Sequence, residues 1–262
     1  MERKLGMCWG DPATIKLMAD AGFNCYGTGV SSVEGMSRLK EAGEACGATC
    51  EFIHAPFDGY DMNNMWLDGM AYYGLFQRIK NCITTASIVG VPMVVAHVSH
   101  GWYPPEVNDL GLKRFDELVM YAGEKGVKLA FENVYSVGNL AYFADRYEKL
   151  DHVGLCYDAG HEHCFTKTVS WLDIYTNKTF TTHLNDNPGR PGGKEGNTDM
   201  HWLPFEGDVD YGDMMKKLNK YGYEGALILE IGDRPHGKFK EMTHEEYLAE
   251  CFKRVKRISE MG

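Results

Sequence analysis

Residues 154–161 read Gly154-Leu155-Cys156-Tyr157-Asp158-Ala159-Gly160-His161. The apolar run has the composition of a buried strand, and it ends in an aspartate that is followed by a small flexible pair and a histidine. A carboxylate at the strand end and an imidazole three residues later can converge on one cation. Asp158 can equally cap a following helix, because strand-to-helix turns often need such a residue. The ends of the other strands decide between these two interpretations.

The same order of elements, an apolar strand followed by a helical pattern, recurs along the whole chain. We predict eight strands at residues 5–8, 23–26, 49–54, 92–97, 127–131, 153–157, 178–184 and 226–229. Between and after them we predict helices at residues 11–22, 32–47, 67–89, 107–125, 139–149, 170–175, around 214–218, and at 243–258.

Eight strand-helix units in 262 residues leave about 33 residues for each unit, enough for a strand, a crossover helix and two loops. We therefore predict an α/β protein whose residues 1–262 form a single (β/α)8 TIM barrel domain. A doubly wound sheet is the alternative. It would usually carry a glycine-rich phosphate turn after the first strand, and Trp9-Gly10-Asp11-Pro12 is not such a turn. For the same reason we expect no nucleotide cofactor.

The composition excludes several classes of protein. Hydrophobic residues make up 44% of the chain and charged residues 24%, which is typical of globular proteins and not of disordered or fibrous ones. The net charge of -10 argues against a nucleic-acid partner. Eight cysteines without a paired C-x-x-C spacing are typical of a reduced, cytoplasmic protein. The amino terminus predicts neither a signal peptide nor a membrane span, and a homo-oligomer is left open.

In a barrel, the carboxyl ends of all eight strands face one mouth. From the third strand to the eighth, each strand ends in a carboxylate or an imidazole: His54, His97, Glu132, Asp158, His183 and Glu230. Helix capping explains one such residue but not six. Three carboxylates buried together repel one another and lose hydration, and a bound cation would stabilise them by compensating their charge. The strand ends therefore predict a metal site.

Oxygen and imidazole ligands without thiolate suit Mn²⁺, Zn²⁺, Co²⁺, Fe²⁺ or Mg²⁺. Asp199 and His201 lie two residues apart in the loop after the seventh strand, and with His161 they can form a second metal position. The alternative is that both are ordinary loop residues. His54 and His97 can likewise be hydrogen-bonded core histidines.

Five strings carry a family resemblance: Glu132-Asn133, Asp158-Ala159-Gly160-His161, Thr182-His183-Leu184-Asn185-Asp186, Asp199-Met200-His201 with the later Glu206-Gly207-Asp208-Val209-Asp210-Tyr211, and Leu229-Glu230. They resemble the xylose isomerase-like TIM barrel superfamily, in its sugar phosphate isomerase/epimerase branch, and the related AP endonuclease IV. The resemblance covers the chain from about the third strand to the end.

The resemblance implies specific roles. In the ketose epimerases one divalent metal is held by four residues, which correspond to Glu132, Asp158, His183 and Glu230, and the two glutamates are the acid/base pair. In the endonuclease nine ligands hold three zinc ions, and the further counterparts are His54, His97, His161, Asp199 and His201. We expect one or more divalent ions, Mn²⁺ or Zn²⁺ before Co²⁺, Fe²⁺ or Mg²⁺. The epimerase arginine after the seventh-strand histidine has no clear counterpart, and Arg190 is the nearest.

We therefore expect a divalent-metal-dependent isomerase or epimerase of a small sugar, sugar phosphate or related hydroxy-ketone, acting by proton transfer through a metal-bound enediolate. A metal on a carbonyl and its neighbouring hydroxyl acidifies the C–H between them, one carboxylate removes the proton, and a group on the opposite face returns it. The alternative is a polynuclear zinc phosphodiesterase, against which the net charge of -10 argues. A non-catalytic sugar-binding barrel is a third hypothesis.

The mouth-side loops also contain candidate substrate-binding residues. Trp9 and Trp102, with Phe57 and Trp202, can form an apolar wall for one face of a sugar, although stray aromatic residues are common in loops. Arg234 and Lys238 follow the eighth strand, where barrels often bind phosphate, and the alternative is a solvated basic loop.

Overall fold

The computed structural model describes residues 3–8, 10–190 and 198–262. Its sheet has eight parallel strands: β1 Leu5–Cys8, β2 Cys25–Gly29, β3 Thr49–His54, β4 Met93–Ala96, β5 Lys128–Glu132, β6 Val153–Asp158, β7 Thr179–His183 and β8 Leu227–Leu229. Neighbours along the chain pair with one another, and β1 also pairs with β8. Between β7 and β8, the N–H of Leu184 donates to the carbonyl of Ile228 at 2.8 Å and the N–H of Glu230 donates to that of Leu184 at 3.0 Å. The predicted TIM barrel is thus confirmed.

Helices follow the strands on the outside of the barrel: α1 Pro12–Ala21, α2 Val33–Ala45, α3 Tyr73–Val89, α4 Asp109–Glu124, α5 Val137–Arg146, α6 Ala159–Cys164, α7 Trp171–Tyr175, α8 Tyr211–Lys220 and α9 His244–Ser259. Short 3-10 turns form at Gly59–Trp66, Thr176–Lys178 and Gly237–Phe239. Side chains cap the starts of several helices. Asp11 accepts from the N–H of Thr14 at 2.8 Å, and Thr243 and Glu246 form a reciprocal capping box before α9.

Two helical segments differ most from the sequence prediction. The helix predicted from residue 67 begins only at Tyr73, because Leu67 is extended and Gly69 takes a left-handed conformation with φ 89°. The short helix α6 was not predicted, since six residues are too few to show a helical period. α6 matters for the site because it carries His161.

The interior of the barrel has a small apolar layer directly under the mouth. Side chains alternate along a strand, so the residue two positions before a mouth residue points in the same inward direction. This layer, which we call the interior layer, consists of Cys8, Cys25, Phe52, Met93, Val95, Ala130, Cys156, Ala226 and Ile228. The larger core lies between the outer face of the sheet and the helices. Within the described ranges, none of the helices has the length and apolar character that a membrane span requires.

Candidate metal centre

The first group of candidate ligands lies at the ends of four neighbouring strands. Glu132, Asp158 and His183 are the last residues of β5, β6 and β7, and Glu230 directly follows β8. One ligand atom from each lies within 4.8 Å of one from every other member, and all four residues are buried. Nδ1 of His183 is 3.2 Å from Oε1 of Glu132 and 3.3 Å from Oε2 of Glu230. We call these four residues the inner group.

A second group shares Glu132 with the inner group. Nε2 of His54 is 3.2 Å from Oε2 of Glu132, and Nε2 of His97 is 3.1 Å from the same oxygen. His54 ends β3, and His97 directly follows β4. Glu132 thus presents one oxygen to each group, which is the arrangement of a carboxylate that can bridge two cations.

A third group, which we call the outer group, consists of His161, Asp199 and His201. Nε2 of His161 is 3.3 Å from Oδ2 of Asp199, and Nε2 of His201 is 3.2 Å from Oδ1 of Asp199. His161 lies on α6, whereas Asp199 and His201 come from the loop between β7 and α8. The structure therefore brings together all nine residues that the sequence singled out as ligands, in three groups.

Backbone carbonyls orient three of the five histidines. Nδ1 of His54 is 2.8 Å from the carbonyl of Ala55, Nδ1 of His161 is 3.0 Å from that of Asn133, and Nδ1 of His201 is 2.8 Å from that of Glu230. A donor N–H at Nδ1 leaves Nε2 as the nitrogen that could bind a cation, and in each case Nε2 faces a carboxylate of its group. This is the usual way in which proteins orient metal-ligating imidazoles.

Asp158 both caps α6 and faces the inner group, so the two interpretations of its sequence context are compatible. Its Oδ1 accepts from the N–H of His161 at 2.6 Å, and its Oδ2 accepts from Nδ2 of Asn185 at 2.9 Å. Asn133 pairs with the backbone of Asp158 in both directions, at 2.7 and 2.8 Å. A Cβ on Gly160 would overlap Oδ1 of Asn185, which explains why glycine stands in this stretch. Asn133 and Asn185 were missed as supporting residues, although each follows a ligand within two positions.

The carboxylates of the inner group differ in their electrostatics. Burial raises the pKa of Asp158 to about 7, with Glu132 and Glu230 adding repulsion and His161 opposing both effects. Burial would also raise the pKa of both glutamates. At Glu132 the charges of His183 and His97 outweigh the effect of burial and hold the pKa well below the ordinary value. At Glu230 the charge of His183 outweighs burial and lowers the pKa to about 2. Both glutamates are therefore ionised at neutral pH.

Protonated histidines balance this negative charge when no cation is present. Burial alone would lower the pKa of both His161 and His183. Asp158 and Asp199 raise the pKa of His161 well above the ordinary value. Cys156, Glu230 and Glu132 do the same for the pKa of His183. Both ring nitrogens of His183 are buried and have no hydrogen-bond partner among the described residues. A divalent cation can replace these protons, so the residues present fit one.

A cavity of about 230 Å³ opens above the ligands and is lined by members of all three groups. Its remaining walls are mainly aromatic, and they include Phe57, Tyr135 and Phe165. The rings of Tyr135 and Phe165 stack with centroids 3.8 Å apart, and Trp102 meets both edge-on at 5.2 and 5.4 Å. The volume lies below the range of about 300–1,000 Å³ that is typical of drug-sized ligands, so the cavity suits a small molecule.

The predicted substrate-binding residues lie in different places. Trp102 stands beside the aromatic wall, with the guanidinium of Arg190 4.1 Å above its ring. Lys238 forms an ion pair with Glu206 beside a separate cavity, and Arg234 is exposed, 3.1 Å from His244. Neither of these two is among the described residues that line the cavity over the ligands. Trp9 lies outside the described residues.

Two wall residues, Tyr135 and Phe165, were not predicted. Sequence alone does not show which loop aromatics turn inward. The spacing of Phe165, four residues after His161, becomes a signal only once α6 is known, because the two residues then lie one helical turn apart.

A family model described as a xylose isomerase-like TIM barrel matches residues 15–255. The chain belongs to this family. Its relatives include sugar-processing enzymes. One is an inosose dehydratase from Glaesserella parasuis, 26% identical over 138 residues that make up 46% of this chain and 46% of the relative. The chain spans about half the length of two of the curated relatives it matches, 51% of one and 46% of the other.

Solved structures of xylose isomerase-like barrels resemble this chain over nearly its whole length. The crystal structure of a D-psicose 3-epimerase from Clostridium cellulolyticum H10 with D-tagatose gives a TM-score of 0.71 at 14% identity, over 98% of this chain and 96% of that chain. The IOLI protein with a bound zinc atom gives a TM-score of 0.74 at 18% identity, over 97% and 98%. At these identities the likeness supports the fold.

Proposed function

We propose that this xylose isomerase-like protein is a divalent-metal-dependent isomerase or epimerase of a small ketose or related hydroxy-ketone. One observation carries the proposal: Glu132 and Glu230, from β5 and β8, meet in the four-residue inner group at the floor of the cavity. The sugar-processing relatives support it, since one is named as an epimerase and another as an inosose dehydratase.

The two glutamates have the properties of an acid/base pair. Both are buried and both are ionised at neutral pH, so each can accept a proton from a substrate carbon. Their strands approach the cavity from different sides of the barrel mouth, so one can remove a proton as a carboxylate, and the other, after it takes up a proton from solvent, can return one to the opposite face. Asp158 and His183 complete the set that would hold the cation, which supplies electrophilic activation of a substrate carbonyl.

The cavity favours a small ring with one apolar face. The aromatic wall of Tyr135 and Phe165, which Trp102 buttresses, offers stacking area for the C–H face of a sugar, and the ligand groups supply polar atoms to the same cavity. Arg190 above Trp102 brings a positive charge to the rim of the wall.

Solvent deuterium exchange tests this proposal. The chain, loaded with Mn²⁺ or Zn²⁺, is incubated in D2O with D-fructose, D-psicose or D-tagatose, and deuterium at the carbons beside the carbonyl is measured by NMR. Glu132→Gln and Glu230→Gln should each abolish exchange while circular dichroism shows an intact fold, and Glu148→Gln on the surface should exchange normally. Full exchange in either glutamine variant would remove that glutamate from the acid/base role.

The second candidate is a polynuclear phosphodiesterase, and the three ligand groups favour it. Together they contain the nine residues for which the resemblance to AP endonuclease IV implies a counterpart among its zinc ligands. The net charge of -10 argues against DNA as the substrate. Elemental analysis and hydrolysis of bis(4-nitrophenyl) phosphate and of an abasic duplex separate the candidates. Two or three metals per chain with phosphodiester hydrolysis favour this one, and one metal with ketose exchange favours the first.

A further inference from the structure

His183 is supported differently from the histidines that backbone carbonyls orient. Its Nδ1 lies 3.2 Å from Oε1 of Glu132 and 3.3 Å from Oε2 of Glu230, and no backbone carbonyl of the described residues orients the ring. The side chain is completely buried, and Nε2 has no hydrogen-bond partner among the residues that the structure describes. A buried ring N–H without an acceptor is destabilising, so the polar atoms closest to this ring are of interest.

Two thiols of the interior layer lie next to His183. Cys8 ends β1, and Cys156 lies on β6 two residues before Asp158 and therefore points inward with it. Sγ of Cys8 forms a cluster with His183 and Glu230, and Sγ of Cys156 forms one with His183 and Glu132, with ligand atoms within 4.8 Å of one another. The other members of the interior layer are apolar or, like Cys25, belong to no such cluster.

Metal-ligating histidines almost always donate their second N–H to a carboxylate, a carbonyl or water, which fixes the ring and raises its basicity. His54, His161 and His201 each have such a carbonyl. At His183 the sulfur atoms of Cys8 and Cys156 each lie within 4.8 Å of a ring nitrogen, and a thiol sulfur is a weak acceptor. A small relaxation of the ring toward the sulfurs would satisfy Nε2.

We propose that Cys8 and Cys156 are positioning residues for His183: their sulfur atoms receive its Nε2–H and so hold Nδ1 toward Glu132 and Glu230. The proposal rests on the metal centre of the proposed function. The proposal also explains why two thiols lie under a set of oxygen and nitrogen ligands. Alanine or valine side chains would be sufficient if these positions only filled space.

Cobalt binding tests the proposal with a readout other than activity. Co²⁺ is titrated into the wild-type chain and into Cys8→Ala, Cys156→Ala and the double variant, with chelator competition for affinity and the ligand-field absorption spectrum for geometry. We expect the double alanine variant to bind about 10–100-fold more weakly, the range typical when the support of a ligand is removed, with a shifted spectrum. Cys8→Ser and Cys156→Ser should largely restore both properties, because a hydroxyl also accepts a hydrogen bond.

Cys25→Ala is the matched control, because Cys25 lies in the same interior layer but not beside His183. Unchanged affinity and spectrum in the double alanine variant, or an equal loss in Cys25→Ala, would overturn the proposal. A thiolate-to-cobalt charge-transfer band in the wild type would also overturn it, by making a cysteine a ligand. Failure of the wild type to bind any cation would instead contradict the metal centre itself.

A measurement on the unmodified chain covers the case in which the variants do not fold. ¹⁵N NMR of the metal-loaded protein, labelled at histidine, reports which ring nitrogen of His183 carries a proton. The proposal predicts protonated Nε2 and a metal on Nδ1, and the reverse tautomer would contradict it.

Discussion

The inner group and the outer group differ in what holds their ligands in place. Glu132, Asp158 and His183 end hydrogen-bonded strands, and Glu230 is fixed by its N–H bond to Leu184 across the β7–β8 junction. In the outer group only His161 stands on a regular element. Asp199 and His201 come from the long loop after β7, their side chains are 19% and 34% exposed, and His201 has a left-handed backbone with φ 44°.

This difference separates the two candidate functions. The inner group is set by the barrel and is sufficient for one cation and a pair of glutamates. The outer group is set by a loop, and a non-glycine residue in the left-handed region costs about 1–2 kcal/mol, which the contacts of His201 with Asp199 and Glu230 must offset. We infer that the inner group carries proton transfer and that the outer group adds a further cation or contacts the substrate.

The largest effect is expected from Glu132→Gln, because Glu132 belongs both to the inner group and to the group with His54 and His97. We expect a loss of about 10⁴-fold in kcat/KM, at the upper end of what a positioned general base contributes, together with a lower metal content. Elemental analysis and steady-state kinetics measure both quantities. Glu148→Gln, on the surface, is the control, and equal metal content in the two variants would contradict a bridging role.

A smaller effect is expected from Asp199→Asn, which keeps the shape of the side chain and weakens only the outer group. If the inner group carries the chemistry, one bound cation should be retained and kcat/KM with a ketose should fall by less than about 10-fold. A loss of about 10²-fold or more, or a protein without metal, would show that the outer group is part of the reacting centre.

The pH dependence of the stability of the metal-free chain should report on the outer group through His201. Burial would lower the pKa of His201, but Asp199 and Glu230 outweigh it and raise the value to about 9. Because this folded-state pKa lies above the ordinary 6.5, the stabilisation is complete below about 6.5 and is lost as the pH rises through about 9. Histidine NMR titration should show this midpoint, and Asp199→Asn should move it toward 6.5. An unshifted His201 in the native chain would contradict the pairing.

The smallest effects concern the loop residues outside the ligand groups. Trp102→Ala should raise KM by about 10-fold, because Trp102 buttresses the stacked rings of Tyr135 and Phe165. Lys238→Ala should change KM less than about twofold, because Lys238 pairs with Glu206 beside another cavity. Initial rates over a range of ketose concentrations measure both, and a larger effect of Lys238→Ala would restore its predicted role in substrate binding.

The same contrast explains how far the sequence predicted the structure. The ligands at strand ends were predicted because a buried strand shows as an apolar run and parallel strands of a barrel bring their ends to one mouth. Only the motif around Asp199 and His201 pointed to the loop ligands, since no periodicity describes a loop. Tyr135, Phe165 and the supporting Asn133 and Asn185 were missed, because their roles depend on side-chain directions at positions without a repeating pattern.

Some predicted helix boundaries were wrong, and the reasons are local. The start of α3 was placed six residues early because Leu67 continues an apolar pattern that Gly69 then interrupts with its left-handed backbone. The cysteines of the interior layer were correctly predicted to be buried. That Cys8 and Cys156 lie beside His183 follows only from closure of the barrel, which pairs β6 with β7 and β1 with β8.

The central claim, that proton transfer belongs to the inner group, is tested most directly by deuterium exchange in three proteins side by side. The native chain, Asp199→Asn and Glu132→Gln are loaded with the same divalent metal and incubated in D2O with D-psicose, D-fructose or D-tagatose. We predict exchange beside the carbonyl in the native chain and in Asp199→Asn, and none in Glu132→Gln. Exchange that survives in Glu132→Gln, or that is absent from the native chain while it hydrolyses a phosphodiester, would contradict the claim.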